Sequence, residues 1–165
     1  MVHQVAVGSN FCEATCAAPQ VGSPPLSPNL VRGDLETVLS EQVDVLAPCA
    51  LGAILNAESI PHIRARVIAG AANNQLSEEK DGTALQAAGV LYAPDYVVNA
   101  GGIISVAREY NGGATEAQVT SEIHGIPGRL MEIFERARRE GRATNAVANQ
   151  MARERIGRGA ARLVA

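Results

Sequence analysis

The sequence predicts an α/β fold: a short parallel sheet followed by long carboxy-terminal helices. Three observations predict it. Apolar runs at residues 43–47, 66–69 and 90–92 end in Pro, Gly or polar turns, and they lie about 23 residues apart, the spacing of parallel strands joined by crossovers. Between them the chain has room for short helices, the alternation of βαβ units. From residue 115 the apolar positions adopt a 3.6-residue period.

Residues 1–34 stand apart. They hold Pro19, Pro24, Pro25 and Pro28, two of the three cysteines, and no sustained period. Such a segment has no strand or helix face to bury, so it reads as an irregular, disordered leader, with the domain occupying 35–165. Val43-Asp-Val-Leu-Ala47, ended by Pro48, is the first strand. Ala50 to Leu55 starts a short helix, and Ile60 to Ala65 adds one or two helical turns. Arg66 to Ala69 is the second strand, stopped by Gly70. Asp81 caps a helix running to Ala88, with Gly89 as its left-handed stop. Val90-Leu-Tyr92 is the third strand. Thr115 and Gln118 form a capping box, after which Val119, Ile123, Ile126, Leu130, Ile133, Phe134 and Ala137 share one stripe. Pro127 lacks an amide proton, which predicts a kink or two helices. Gly141 ends this segment. Thr144 caps the last helix, whose stripe is Val147, Met151 and Ala152, extending to Ile156.

Composition bounds the function. With 165 residues, 47% apolar, the chain can bury one real core. Aromatics are 3% and Trp is absent, so that core is aliphatic. Residues 1–128 carry five basic and thirteen acidic side chains, and residues 129–165 carry nine Arg and four Glu. The Arg are interleaved with Glu132, Glu135 and Glu140 along helical turns. That is the pattern of a solvated, salt-bridged face rather than a nucleic-acid surface. No stretch approaches the ~20 apolar residues of a membrane span. No signal peptide opens the chain, and three cysteines make no disulfide framework, so a reducing cytoplasm is the expected setting. Cys12, Cys16 and His3 fall short of the four ligands of a zinc site, so no metal is expected. Cys49 has no His beside it and reads as a small buried residue rather than a nucleophile. His62 and His124 are isolated.

Three segments say more. They are Asp44-Val-Leu-Ala-Pro-Cys-Ala-Leu-Gly52, Val67-Ile-Ala-Gly-Ala-Ala-Asn-Asn-Gln-Leu76 and Tyr92-Ala-Pro-Asp-Tyr-Val-Val-Asn-Ala-Gly-Gly102. Each lies at a predicted strand end, where open parallel sheets bind ligands. A carboxamide such as that of Asn73 or Asn74 offers two donors and an acceptor, which suits a carboxamide or carboxylate ligand; each can equally satisfy its own turn. In this order and spacing the three segments resemble the cofactor domain of leucine, valine and phenylalanine dehydrogenases, over roughly residues 37–165. The resemblance implies a partial Rossmann-type sheet and NAD as cofactor. It implies Cys49, Ala50, Asn74 and Asn99 beside the cofactor, and Asn74, Ile103 and Val106 beside the substrate. It also implies oxidative deamination of a small apolar L-amino acid, leucine or valine, to its 2-oxo acid by a homo-oligomer.

The departures are as informative. No G-x-G-x-x-G turn occurs in the chain to cradle a pyrophosphate. The domain that carries the family's catalytic lysines is absent, and the sole lysine, Lys80, sits in a polar loop. No catalytic residue is therefore expected here. The isolated chain reads as an inactive fragment of the enzyme, with a non-catalytic association module or a truncated product as alternatives.

Overall fold

A computed structural model describes residues 5–7, 35–110, 112–113 and 115–163. Strands β1 (Val5–Val7), β2 (Val45–Pro48), β3 (Val67–Ile68) and β4 (Leu91–Tyr92) form one parallel sheet in the order β1-β2-β3-β4. Val5 lies opposite Leu46, and Val67 lies opposite both Val45 and Leu91. The last three strands are those expected, each shorter or shifted by a residue or two. β1 is an addition inside the stretch read as an irregular leader, so that reading is corrected at Val5–Val7. Three residues are too few to display a period, and their partner strand is far along the chain. The rest of the leader, with Cys12 and Cys16, lies outside the described residues.

The strands alternate. Leu46, Pro48, Ile68 and Tyr92 are buried, whereas Val45, Ala47 and Val67 are half-buried and Leu91 is exposed. Parallel sheets are ordinarily covered on both faces; here one face carries the core. It is packed by Val38 and Leu39 of α1 (Leu35–Ser40), by Ile54, Leu55 and Ile60, and by Leu85 of α2 (Asp81–Ala87). Each of these large side chains contributes about 1.5–3 kcal/mol by leaving water.

Two local expectations give way to long-range pairing. Residues 50–55 are not helical. The amide of Ala53 donates to the Asn74 carbonyl at 2.7 Å and that of Leu55 to Gln75 at 3.0 Å, so this loop runs beside the chain leaving β3. Ala53, at φ +57°, stands in the left-handed region, which interrupts a helix. Asp81 does not cap α2 from outside: it is the first helical residue, and its carboxylate accepts from the Glu78 amide at 2.7 Å. Gly89 stops the helix at φ +75° as expected.

Beyond β4 come α3 (Asp95–Val98), α4 (Gly101–Tyr110), α5 (Glu116–His124), α6 (Ile126–Glu140) and α7 (Thr144–Leu163). The Thr115–Gln118 capping box opens α5. Pro127 occupies the first turn of α6, where a missing amide proton costs nothing, so the interruption divides two helices. Gly141, at φ +64°, closes α6. Thr144 serves a different purpose from the one expected: its hydroxyl donates to the Tyr92 carbonyl at 2.7 Å and ties the start of α7 to β4. A second core joins Ile133 and Ala137 of α6 to Val147 and Ala148 of α7, with Val97, Phe134 and Met151 against them. Ile156, placed on the α7 stripe by period, is exposed. Arg136 bonds Glu140 on its own helix at 2.7 Å and grips both Glu154 oxygens on α7 at 2.9 and 3.0 Å. Among the described residues no helix is long and apolar enough to cross a membrane.

Candidate functional site at the strand ends

The three signature segments leave β2, β3 and β4 side by side. Their loops interlock through backbone. A Cβ built on Gly70 would sit 2.1 Å from the Pro48 carbonyl oxygen, and one on Gly52 would sit 2.9 Å from that of Asn73. Glycine is therefore required at both places. The Ala72 amide donates to the Pro48 carbonyl at 2.9 Å. Beneath the loop, fully buried Gln75 donates from Nε2 to the carbonyls of Gly70 at 2.8 Å and Ala72 at 2.9 Å.

Asn74 stands at φ +53°, a conformation uncommon for a side chain other than glycine, asparagine or aspartate. Its amide donates to Oδ2 of Asp95 at 2.7 Å, and the other oxygen of that buried carboxylate accepts from the Tyr92 hydroxyl at 2.8 Å. Burial first, and the bond to Asp95 second, push the Tyr92 phenol well above its ordinary pKa. The Asn74 side chain itself is exposed.

Asn99 and Asn73 are arranged differently. Nδ2 of Asn99 donates to Oδ1 of Asn73 at 2.7 Å and to the Ala71 carbonyl at 3.1 Å. Both Asn99 donors brace the loop, leaving its carboxamide oxygen as the polar atom it can offer a ligand. Cys49 and Ala50 are exposed at the end of β2, so the expectation of a buried Cys49 is corrected. The reason is Pro48, which ends the strand on the covered face and turns the chain outward.

Gly101 and Gly102 form the first turn of α4. A Cβ on Gly101 would approach Ile123 no closer than 3.8 Å, and one on Gly102 would meet nothing within 4 Å. The chain's own packing does not demand glycine at either. Further along α4, Ile103, Val106 and Tyr110 share a face at helical spacing and are 66%, 59% and 91% exposed. None of the residues of α4 is buried. The helix leans on α5, to which Arg108 is joined by an ion pair with Glu122. Ile103 and Val106 are therefore available at the surface and not enclosed with Asn74 in a pocket.

Sequence reasoning passed over Asp95 and Tyr96. A cleft of about 480 Å³ lies beside Asn74, bordered by Glu79, Tyr96, Asn145 and Asn149. The Tyr96 hydroxyl lies 2.7 Å from Oδ1 of Asn149, whose Nδ2 donates to Glu79 at 3.0 Å, while Asn145 donates to the Glu79 carbonyl at 2.9 Å. Partial burial, then the negative charges of Asp95 and Glu79, push the Tyr96 phenol up to about 12. Lys80 pairs with Glu78 at 2.8 Å, and that partner raises its pKa. Among the described residues no group of His, Cys, Asp and Glu is arranged to hold a metal ion.

Comparison with known proteins places this geometry. The family model described as Glutamate/Leucine/Phenylalanine/Valine dehydrogenase matches residues 24–161. A leucine dehydrogenase from Thermoactinomyces intermedius is 45% identical over 121 residues, covering 73% of this chain and 33% of that protein. An L-tryptophan dehydrogenase from Nostoc punctiforme is 47% identical over 120 residues, covering 72% of this chain and 34% of that protein. The crystal structure of L-tryptophan dehydrogenase from Nostoc punctiforme superposes with a TM-score of 0.72 at 44% identity, over 76% of this chain and 38% of that one. The chain thus spans about a third of the length of the curated relatives it matches.

Proposed function

From the premise that this chain belongs to the Glutamate/Leucine/Phenylalanine/Valine dehydrogenase family, we propose that it is the cofactor-side part of an NAD-dependent amino-acid dehydrogenase, inactive when isolated. The reaction is oxidative deamination of a small apolar L-amino acid, leucine or valine, to its 2-oxo acid. One observation carries the reading: at a parallel-strand end, Asn74 has its backbone pinned and its carboxamide turned outward. Asn74 is suited to the nicotinamide carboxamide or the substrate carboxylate, and Cys49 and Ala50 to the adjoining ribose. Asn99 braces the loop and offers its carboxamide oxygen. Gly101 and Gly102 leave room for a ring to approach α4. NAD, when bound, supplies the hydride acceptor. The residues present fit its nicotinamide half, whereas the chain contains no Gly-rich fingerprint for the pyrophosphate. Ile103 and Val106 face the substrate side chain. Where an intact enzyme covers this surface, an apolar Val106 leaves a second carboxylate buried without a partner, which disfavours glutamate by several kcal/mol.

The inactivity follows from proton transfer. The chemistry calls for a lysine of lowered pKa, and Lys80, the only lysine, is held as a cation by Glu78. Purified chain given NAD with leucine or valine is expected to form no NADH, and calorimetric titration should find only weak NAD binding. Turnover by rigorously pure chain overturns the inactivity, and micromolar affinity overturns the reading that no cradle for the pyrophosphate is present. We assign the chain to the cytoplasm, where the exposed Cys49 thiol stays reduced, and to an assembly of several copies of itself.

A second reading is an association module without catalysis. The exposed Ile103–Val106–Tyr110 face favours it. Titration of the assembled chain with nicotinamide mononucleotide separates the two: weak but saturable binding that shifts Asn74 supports the first, and a stable assembly that binds none supports the second.

A further inference from the structure

We infer that Asp95 is a positioning residue, which with Tyr92 holds the backbone of Asn74 in its left-handed conformation and so aims the Asn74 carboxamide out of the protein. The inference rests on the reading above for what Asn74 meets, but not for how Asn74 is held.

The Asp95 carboxylate divides its two oxygens between two donors. Oδ2 takes the Asn74 amide at 2.7 Å and Oδ1 takes the Tyr92 hydroxyl at 2.8 Å, while the Asp95 amide lies 3.3 Å from the same phenol oxygen. Tyr92 is itself fixed, because β4 sets its backbone and its ring is buried in the sheet core. Position thus passes from β4 through the phenol and the carboxylate to one amide proton across the loop. The far side of the loop is held from the other end of the same helix. Asn99, just beyond α3, donates to Ala71 and Asn73. Asp95 at the start of α3 and Asn99 just after its end therefore fasten the loop at two points, with Asn74 at one of them.

Two acceptor oxygens are what this arrangement uses; a carboxamide could still accept from Asn74 and donate to the phenol oxygen, whereas a methyl group can do neither. Asp95→Ala therefore removes both the Asn74 bond and the Tyr92 bond and adds no new donor or acceptor. A buried Asp95 that served the fold alone would affect the whole domain evenly. A positioning residue affects Asn74 selectively.

Nuclear magnetic resonance of the nitrogen-15-labelled full chain tests this, with nicotinamide mononucleotide as probe. In the unsubstituted chain the probe is expected to shift the Asn74 carboxamide signals. In Asp95→Ala, solvent exchange of the Asn74 amide should rise about tenfold or more, as loss of a bond to a charged acceptor implies. Amides of Leu46 and Val147 should keep their protection, and the probe should no longer shift the carboxamide. Unchanged Asn74 exchange in folded Asp95→Ala overturns the proposal. If that variant does not fold, Tyr92→Phe decides: it retains the ring in the core and removes only the hydroxyl, and faster Asn74 exchange supports the proposal while unchanged exchange overturns it. Should the probe leave the unsubstituted Asn74 carboxamide unmoved while Asp95→Ala still frees its amide, the positioning role stands and the nicotinamide reading falls.

Discussion

The loops at the ends of β3 and β4 and the helix α4 lie close in sequence and are built on opposite plans. In the loops, Gln75, Asp95 and Asn99 each bond neighbouring backbone through a side-chain atom, and Gly70 is a glycine because Pro48 leaves room for nothing else. In α4 no residue is buried, Gly102 stands in open space, a Cβ on Gly101 would meet Ile123 only at ordinary contact distance, and three apolar side chains face solvent. The loops are shaped by this chain. The helix presents apolar side chains that the other described residues leave uncovered.

The contrast can be broken at its strongest point. Gly70→Ala drives a methyl into the Pro48 carbonyl, and a loss of about 3 kcal/mol or more is expected in urea unfolding. A loss well below 1 kcal/mol would mean the loops are not interlocked. A smaller effect comes from Tyr96 at the edge of the same region. Its pKa is raised, from an ordinary 10.0 to about 12, because the fold prefers the neutral phenol. That stability is fully present below pH 10 and is lost as pH rises through about 12. After allowance for solvent screening it amounts to about 1 kcal/mol. Tyr96→Phe should flatten this alkaline decline. The smallest effect belongs to α4. Gly102→Ala is expected to raise stability by about 0.5 kcal/mol, since the helix gains a better residue and nothing is displaced. A melting temperature lowered by several degrees would show that α4 is packed after all.

What was legible in the sequence was local. The Thr115–Gln118 box, Pro127 between two helices, and the stops at Gly89 and Gly141 all act through neighbours within a few residues. The strands β2 to β4 were legible because apolar runs and their stops recur at regular spacing. The failures share one cause, a partner far along the chain. Val5–Val7 becomes a strand only beside β2. Ala53 leaves the helical path to bond Asn74. Thr144 bonds Tyr92 rather than its own helix. At the site, Asn73 and Asn74 are indistinguishable as letters, yet one is tied to Asn99 and the other turns outward. Asp95 reads as an ordinary helix start; its role depends on an amide 21 residues earlier.

The contacts of Gly70 with Pro48 and of Gly52 with Asn73 have a consequence for redesign. Neither loop can be exchanged alone, because each is the mould for the other's backbone. A recombination boundary placed between residues 52 and 70 would unite halves that do not fit, whereas one before Val45 or after Leu76 would move the pair intact. Residues 45–76 are thus the smallest cassette by which the floor of this crevice can be transplanted between relatives, and libraries that vary one loop while freezing the other will lose most of their members to misfolding.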